Sequence, residues 1–234
     1  MLILGVDTAA KTASTAVCDF YGGKVLCEMR SDGNGKISHS ENLMPMVDYT
    51  LKCAGISLSD IDLFAVSHGP GSFTGIRIGI ATTKGLAFGT DKNNCAGVSS
   101  LCSLAYNFYG SFDDILIIPV IDARRKQVYN AVFDGRELTY IKSDRIITTG
   151  ELALELNREF SGRKLAFTGD GADMCYSEID FHGKTKIPDI LKYPSAASLC
   201  RAAYEQYKKS GAIHPRALAP SYLIKTQAER EKTK

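Results

Sequence analysis

Apolar and polar positions come in repeating blocks along this chain. LILGVDTAAKTASTAVCD (2–19) reads as an apolar strand ending at Asp7, a polar turn, and a second apolar strand. IIPVIDARRKQVYNAVFD (117–134) has the same layout. Displaced by 115 residues without a gap, Ile3 falls on Ile118, Val6 on Ile121, Asp7 on Asp122, Ala16-Val17 on Ala131-Val132, and Asp19 on Asp134. Turns follow at Gly22-Gly23 and at Gly135, each leading into a third strand (25–30 and 137–142). Glycine turns between β-rich runs of this length form hairpins. The repeated order predicts an ancient duplication.

Helical periodicity takes over after each trio of strands. SHSE (38–41) has the form of a capping box. It opens a helix over about 39–54, with Leu43, Val47, Thr50, Leu51 and Ala54 on one face and Gly55 as its stop. Pro45 inside it should kink the helix or delay its regular start. A strand at 61–67 then runs into a glycine loop and a helix to about 88. A short strand around Gly97-Val98 and a helix near 100–109 complete the first half. The second half continues with a Thr148-x-x-Glu151 box, a helix to about 160, a strand at 164–169, and an amphipathic helix at 195–210 ended by Gly211. The mixed-charge tail KTQAEREKTK (225–234) reads as a solvated, frayed end. The expected fold is α/β: two duplicated halves, residues 1–110 and 111–234, each a mixed sheet with flanking helices.

Composition narrows the setting. The 234 residues are 44% hydrophobic and 23% charged, with a formal net charge of +2, too mild by itself for a nucleic-acid surface. Seven scattered cysteines, none in a Cys-x-x-Cys spacing, read as reduced thiols rather than a disulfide framework or a zinc site. Asp7 interrupts the N-terminal apolar run after six residues, and no apolar run reaches membrane-spanning length. The expectation is a soluble cytoplasmic protein.

The stretch SHGPGSFTGIRIGIATTKGLAFG (67–89) suggests a phosphate cradle, but neither standard spacing fits. A P-loop places its lysine directly after the second glycine, and here Lys84 precedes Gly85. The dinucleotide fingerprint needs Gly-x-Gly-x-x-Gly, and Gly69, Gly71 and Gly75 are one residue too far apart. Gly75, Gly79 and Thr83 instead lie four apart and form one smooth helical stripe. Such a stripe suits close packing, against the chain's own strands or against another chain. Asp7 and Asp122, each at the end of its half's first strand, suit a metal–nucleotide complex or serve simply as turn formers. No two of the four histidines fall within four residues, so there is no local metal motif. Ser72 is not in a Gly-x-Ser-x-Gly elbow. No self-sufficient active site emerges.

Taken together, ILGVDTA (3–9), HSENLMP (39–45), GPGSFTGIRIG (69–79) with ATTKGLA (81–87), GVSSL (97–101) and IDARRKQVY (121–129) resemble the TsaB family. These are accessory subunits of the bacterial tRNA threonylcarbamoyladenosine machinery. PSYLI (220–224) echoes a family Pro-x-Tyr-Leu-Arg segment, with Ile224 in place of the arginine. The resemblance implies an actin-like fold of the sugar-kinase and Hsp70 type, with two ribonuclease H-like halves. It implies a non-catalytic subunit that binds the catalytic subunit TsaD and supports the ATPase TsaE, so that TsaD modifies adenosine 37 of tRNA. It implies contact with tRNA only through the complex, homodimers when alone, and no cofactor of its own beyond a nucleotide at the boundary with TsaD. The paired helices map to about 39–54 and 73–88. On that reading Leu43, Met46, Val47, Leu51, Gly75, Gly79 and Thr83 become the expected partner surface, and Asp7 and Asp122 a vestigial nucleotide site without metal. The rival expectations are a glycoprotease-type metallopeptidase and a standalone phosphotransferase of the same fold.

Overall fold

A computed structural model describes residues 1–31, 39–110 and 114–223. The first half runs β1 (Leu2–Asp7), β2 (Ala13–Asp19), β3 (Lys24–Ser31), α1 (His39–Ala54), β4 (Leu63–Gly69), α2 (Phe73–Phe88), β5 (Cys95–Ser99) and α3 (Ser100–Ala105). The second runs β6 (Ile115–Arg124), β7 (Gln127–Asp134), β8 (Tyr140–Thr148), α4 (Thr149–Glu159), β9 (Lys164–Thr168), α5 (Ala172–Glu178), β10 (Lys184–Thr185) and α6 (Ala196–Ser210).

The strands form two five-stranded sheets, ordered β3-β2-β1-β4-β5 and β8-β7-β6-β9-β10. In each, the first three strands form an antiparallel meander and the last two add in parallel beside the first strand. Order and direction match strand for strand, which is the duplicated, actin-like α/β architecture. The parallel strands need helical crossovers, and α1, α2, α4 and α5 occur where those crossovers must fall. The Thr148–Glu151 capping box is formed, and α6 ends at Gly211 as expected. Ser38, the expected cap of α1, lies outside the described residues, as do Ile224 and the tail. Pro45 does not delay the helix, which begins at His39 and carries the proline on its exposed side. The glycine pattern gave no sign of α5, a seven-residue helix.

The expected division at residue 110 separates the sheets but not the helices. The α6 residues Ala196, Leu199, Cys200, Ala202 and Ala203 pack on the first sheet, against Ile3, Ala16, Leu63, Ala65 and Ala96. In return, Leu101, Leu104 and Ala105 of α3 pack against Ile115, Ile117, Ala131 and Phe133 of the second sheet. An apolar stripe requires burial without specifying which sheet supplies it, so the sequence could not show this exchange. Two local features seat α6. A Cβ on Gly5 would meet the Cys200 sulfur at 2.6 Å and the Ala196 carbonyl oxygen at 2.7 Å, so only glycine lets α6 come so near β1. Glu28 of β3 also accepts hydrogen bonds from the Ser195 hydroxyl (2.6 Å) and the Ala197 amide (3.3 Å) at the start of α6. A carboxylate there matches the positive end of the helix dipole.

The two glycines Gly5 and Gly150 therefore respond oppositely to a methyl group. Gly5→Ala overpacks the β1–α6 contact and should cost about 1–3 kcal/mol. Gly150, with nothing within 4 Å of an added Cβ, lies in α4, where alanine should be neutral or add up to about 1 kcal/mol. Urea unfolding of the two variants beside wild type measures both shifts.

Candidate functional site

The ends of the first strands of both halves meet across a cleft. Its walls are the β1–β2 turn (8–12), the glycine loop before α2, the end of β6 with the β6–β7 turn (123–126), and the loop after β9. One cavity of about 500 Å³ is lined by Lys11, Ser72, Phe73, Thr74, Asp122, Arg124 and Asp170, among others. A second, of about 280 Å³, continues past Lys11 and Asp170 to Asp173, Lys192 and Tyr193.

The glycine loop builds this cleft by bringing backbone against backbone. A Cβ on Gly75 would strike the Thr8 carbonyl oxygen, one on Gly79 the Thr8 hydroxyl, and one on Gly71 the Ala9 carbonyl. In their place, the Thr8 hydroxyl donates to the Gly75 carbonyl (2.7 Å), and the Ser72 amide donates to the Ala9 carbonyl (2.7 Å). The Ser72 hydroxyl accepts from the Gly75 amide (3.2 Å) and caps α2. The first-half turn is thus seated on the start of α2, which points Lys11 into the cleft. The second-half turn holds three consecutive left-handed residues, Arg124, Arg125 and Lys126 (φ 67°, 54° and 60°). Backbone of that kind is uncommon outside glycine and marks a locally constrained turn.

Asp7 and Asp122 occupy corresponding strand ends but have different surroundings. Asp122 is exposed in the cleft, where its carboxylate accepts from the Arg124 amide (2.7 Å). Its own amide donates to Asp170 (2.9 Å). The Asp170 carboxyl is held above the usual range, mainly by burial and then by the neighbouring Asp122 charge. Asp7 is fully buried. It accepts from the Ala9 amide (3.0 Å), the Ser67 hydroxyl and the Ser103 hydroxyl (3.5 Å). Burial dominates and pushes its pKa up to about 6 despite these donors. The carboxylate best placed by sequence to face a metal–nucleotide complex is therefore enclosed by protein and does not line the cavity. Among the described residues no three His, Cys, Asp or Glu side chains gather to hold a metal. Lys11, Arg124 and the start of α2 do offer positive charge to an anion. Asp170 and Lys11 were not singled out from sequence. A Gly-Asp-Gly following an apolar strand (169–171) was the available signal for Asp170.

The expected partner surface needs correction. Leu43, Met46 and Val47 are buried beneath α1 with Leu4, Val17 and Phe64, and Leu51 is half-buried against the same cluster. Gly75, Gly79 and Thr83 are also buried, the two glycines directly under the Thr8 turn. This stripe was smoothed for the chain's own β1–β2 turn, so it leaves no room for a second chain. The outward sides of the same helices expose Met44, Tyr49 and Cys53 on α1, and Phe73, Arg77, Ala81, Gly85 and Phe88 on α2.

Residues 35–232 match a family model described as TsaD: tRNA N6-adenosine threonylcarbamoyltransferase. Among curated proteins, the chain is 38% identical to the tRNA threonylcarbamoyladenosine biosynthesis protein TsaB of Bacillus subtilis, over 98% of this chain and 96% of that one. It is 25% identical to the protein of the same name from Haemophilus influenzae, over 95% and 93%. The Escherichia coli protein of that name matches at 33% over 63% of this chain and 64% of its own length. In fold, the chain is similar to YeaZ from Pseudomonas aeruginosa, with a TM-score of 0.79 at 24% identity, covering 95% of this chain and 99% of that one.

Asp7 makes stability depend on pH. Its folded pKa lies above the ordinary carboxylate value, so folding takes up a proton there. The penalty is absent below about pH 4 and grows as pH rises through about 6. Asp7→Asn removes the charge and should match wild type at low pH. At pH 8 it should be more stable by up to about 3 kcal/mol, the energy equivalent of the shift. Denaturant titrations at pH 4, 6 and 8 test this through the pH trend of the difference.

Proposed function

The chain belongs to the TsaB branch of the family that the threonylcarbamoyltransferase model describes, and we propose that it serves as the non-catalytic partner of the catalytic subunit TsaD in tRNA threonylcarbamoyladenosine synthesis. The enclosed Asp7 carries this reading. The fold keeps the cleft between its halves, yet the first-strand carboxylate has been taken up by the Ala9 amide and by serine hydroxyls. A side chain so enclosed suits a scaffold better than a phosphotransferase.

The outward faces of α1 and α2 suit the partner. On α2, Arg77, Ala81 and Gly85 lie four apart and Phe88 follows one turn on, all exposed. Nothing stands within 4 Å of an added Cβ at Gly85, so a second helix can come close there. Exposed Met44 and Tyr49 add apolar area on α1. In this role the chain shapes the TsaD site and supports TsaE, meets tRNA through the assembly, and pairs with itself through the same face when alone. A nucleotide shared with TsaD would be met at the subunit boundary.

A phosphotransferase reading draws on Lys11 and Arg124 in the 500 Å³ cavity; calorimetry of the isolated chain with ATP tests it, and micromolar binding would favour it. The peptidase reading has no comparable support.

Ala81→Arg and Gly85→Arg place a long cation on the outward stripe. Both should fold normally by circular dichroism, lose co-purification with TsaD, and abolish modified adenosine in a reconstituted assay. Gly79→Arg, on the inward stripe, should instead fail to fold. Retained TsaD binding by both outward variants would remove α2 as the partner face.

A further inference from the structure

Two pairs of cysteines lie close together in this chain, and they differ in access to solvent. Cys18 of β2 and Cys200 of α6 are neighbours inside the first-half core, 3% and 0% exposed, and the Cys200 thiol donates to the Ile3 carbonyl (3.7 Å). Cys27 of β3 and Cys53 of α1 are neighbours as well, close enough for each to act on the other's charge, but here Cys53 is exposed and Cys27 half-buried.

A β-bulge brings the second pair together. The β2–β3 ladder pairs Val17 with Cys27 but Cys18 with Val25, which leaves Leu26 as an extra residue. Facing residues in a ladder share a side of the sheet. Val17 belongs to the cluster beneath α1, so Cys27 turns to that side, and Leu26 packs against the same cluster. Without the bulge, strict alternation would put Leu26 and Cys27 on opposite sides. On α1, Tyr49 precedes Cys53 by one turn, on the same side of the helix, and its hydroxyl lies near the Cys53 sulfur. Cys53 is thus an exposed sulfur with a thiol and a phenol beside it.

We propose that Cys27 and Cys53 form a peroxide-oxidisable dithiol that closes to a disulfide, linking the edge strand β3 to the last turn of α1. Cys53 is the entry point because it is exposed. Its thiolate attacks one oxygen of hydrogen peroxide, the O–O bond breaks, and hydroxide leaves to become water, giving the Cys53 sulfenic acid. The Cys27 thiol then loses its proton to solvent and attacks the Cys53 sulfur. The S–O bond breaks, a second hydroxide leaves as water, and the S–S bond forms. Both sulfurs are oxidised and one peroxide is reduced to two waters. Burial and its neighbours hold the Cys27 thiol above its usual range, so it is not the first sulfur to meet peroxide. The Cys18–Cys200 pair has the proximity but not the access. The disulfide closes a loop that contains the whole of α1 up to Cys53, and it alters the sulfur beside exposed Tyr49. Oxidation therefore changes the end of α1 whichever partner that helix meets.

The test uses the full reduced chain, diluted until sizing shows a monomer so that the outward face of α1 stays open, then treated with a moderate excess of hydrogen peroxide, quenched, alkylated and mapped by mass spectrometry. The expected result is a Cys27–Cys53-linked peptide, lighter by two hydrogens and restored by dithiothreitol. Alkylation of Cys53 in the native chain should be lost, while Cys18 and Cys200 stay reduced and are labelled only after unfolding. Cys53→Ser should leave Cys27 reduced, and Cys27→Ser should carry Cys53 on to sulfinic acid or into a disulfide between chains. The proposal is overturned if wild-type Cys53 reaches sulfinic acid with Cys27 still a free thiol, or if Cys53 links only to another chain. The wild-type map needs no variant to fold, so a destabilised Cys27→Ser does not weaken the decision.

Discussion

The seating of Thr8 on α2 governs the geometry around it. Two glycines inside a helix cost about 0.5–1 kcal/mol each relative to alanine, so their presence on one face has to be offset by contact. Thr8 supplies that contact: its carbonyl lies over Gly75, its hydroxyl over Gly79, and the hydroxyl donates to the Gly75 carbonyl. The Ser72 amide bonding to Ala9 closes the same junction from the loop side. The β1–β2 turn has no other direction to take once this is fixed. Lys11 is carried into the cleft, and Asp7, just before the turn, is drawn under it, where the Ala9 amide reaches it.

The two halves show how a duplication can keep its topology while losing its symmetry. Strand order and direction coincide throughout, yet Asp7 is enclosed and Asp122 stands in the cleft. The first-half turn lies against α2, whereas the second-half turn is held in left-handed backbone at Arg124, Arg125 and Lys126. The helices follow the same course: α6 belongs in sequence to the second half but is fixed to the first by Glu28 and by the gap at Gly5. Each core contains a helix supplied by the other half, so neither half has a complete core without the other. That coupling joins the two walls of the cleft through shared packing.

Much of this was legible because the signals were local. The duplicated strands, the Thr148–Glu151 cap, the end of α6 at Gly211 and the failure of the glycine loop to match a phosphate cradle all follow from residues a few positions apart. The smooth stripe of Gly75, Gly79 and Thr83 was also legible; its direction was not. Spacing says that something must come close, and choosing between the chain's own turn and a second chain takes a long-range contact, here across 67 residues from Thr8 to Gly75. Leu43, Met46 and Val47 fell to the same ambiguity, since an apolar helix face fits a core as well as an interface. Asp170 joined the cleft through tertiary placement, and its only sequence trace was a Gly-Asp-Gly after a strand.

The α2 helix carries small residues on two sides, and this resolves what first looked like a single signal. Its inner stripe is consumed by Thr8, leaving exposed Ala81 and Gly85 on the outside, and among the described residues none stands within 4 Å of an added Cβ at Gly85. A helix that needed glycine only for its own packing would have no reason to leave Gly85 open, because an alanine there meets no atom within 4 Å and would strengthen the helix. Arg77 stands at the same outer edge, over the Phe73 ring at 3.8 Å and bonded through Nε to the Tyr222 hydroxyl at 2.9 Å. That contact ties the segment after α6 to the start of α2 and fixes one end of the outer face. The outer face is therefore smooth on the same helix whose inner face positions the loops of the cleft.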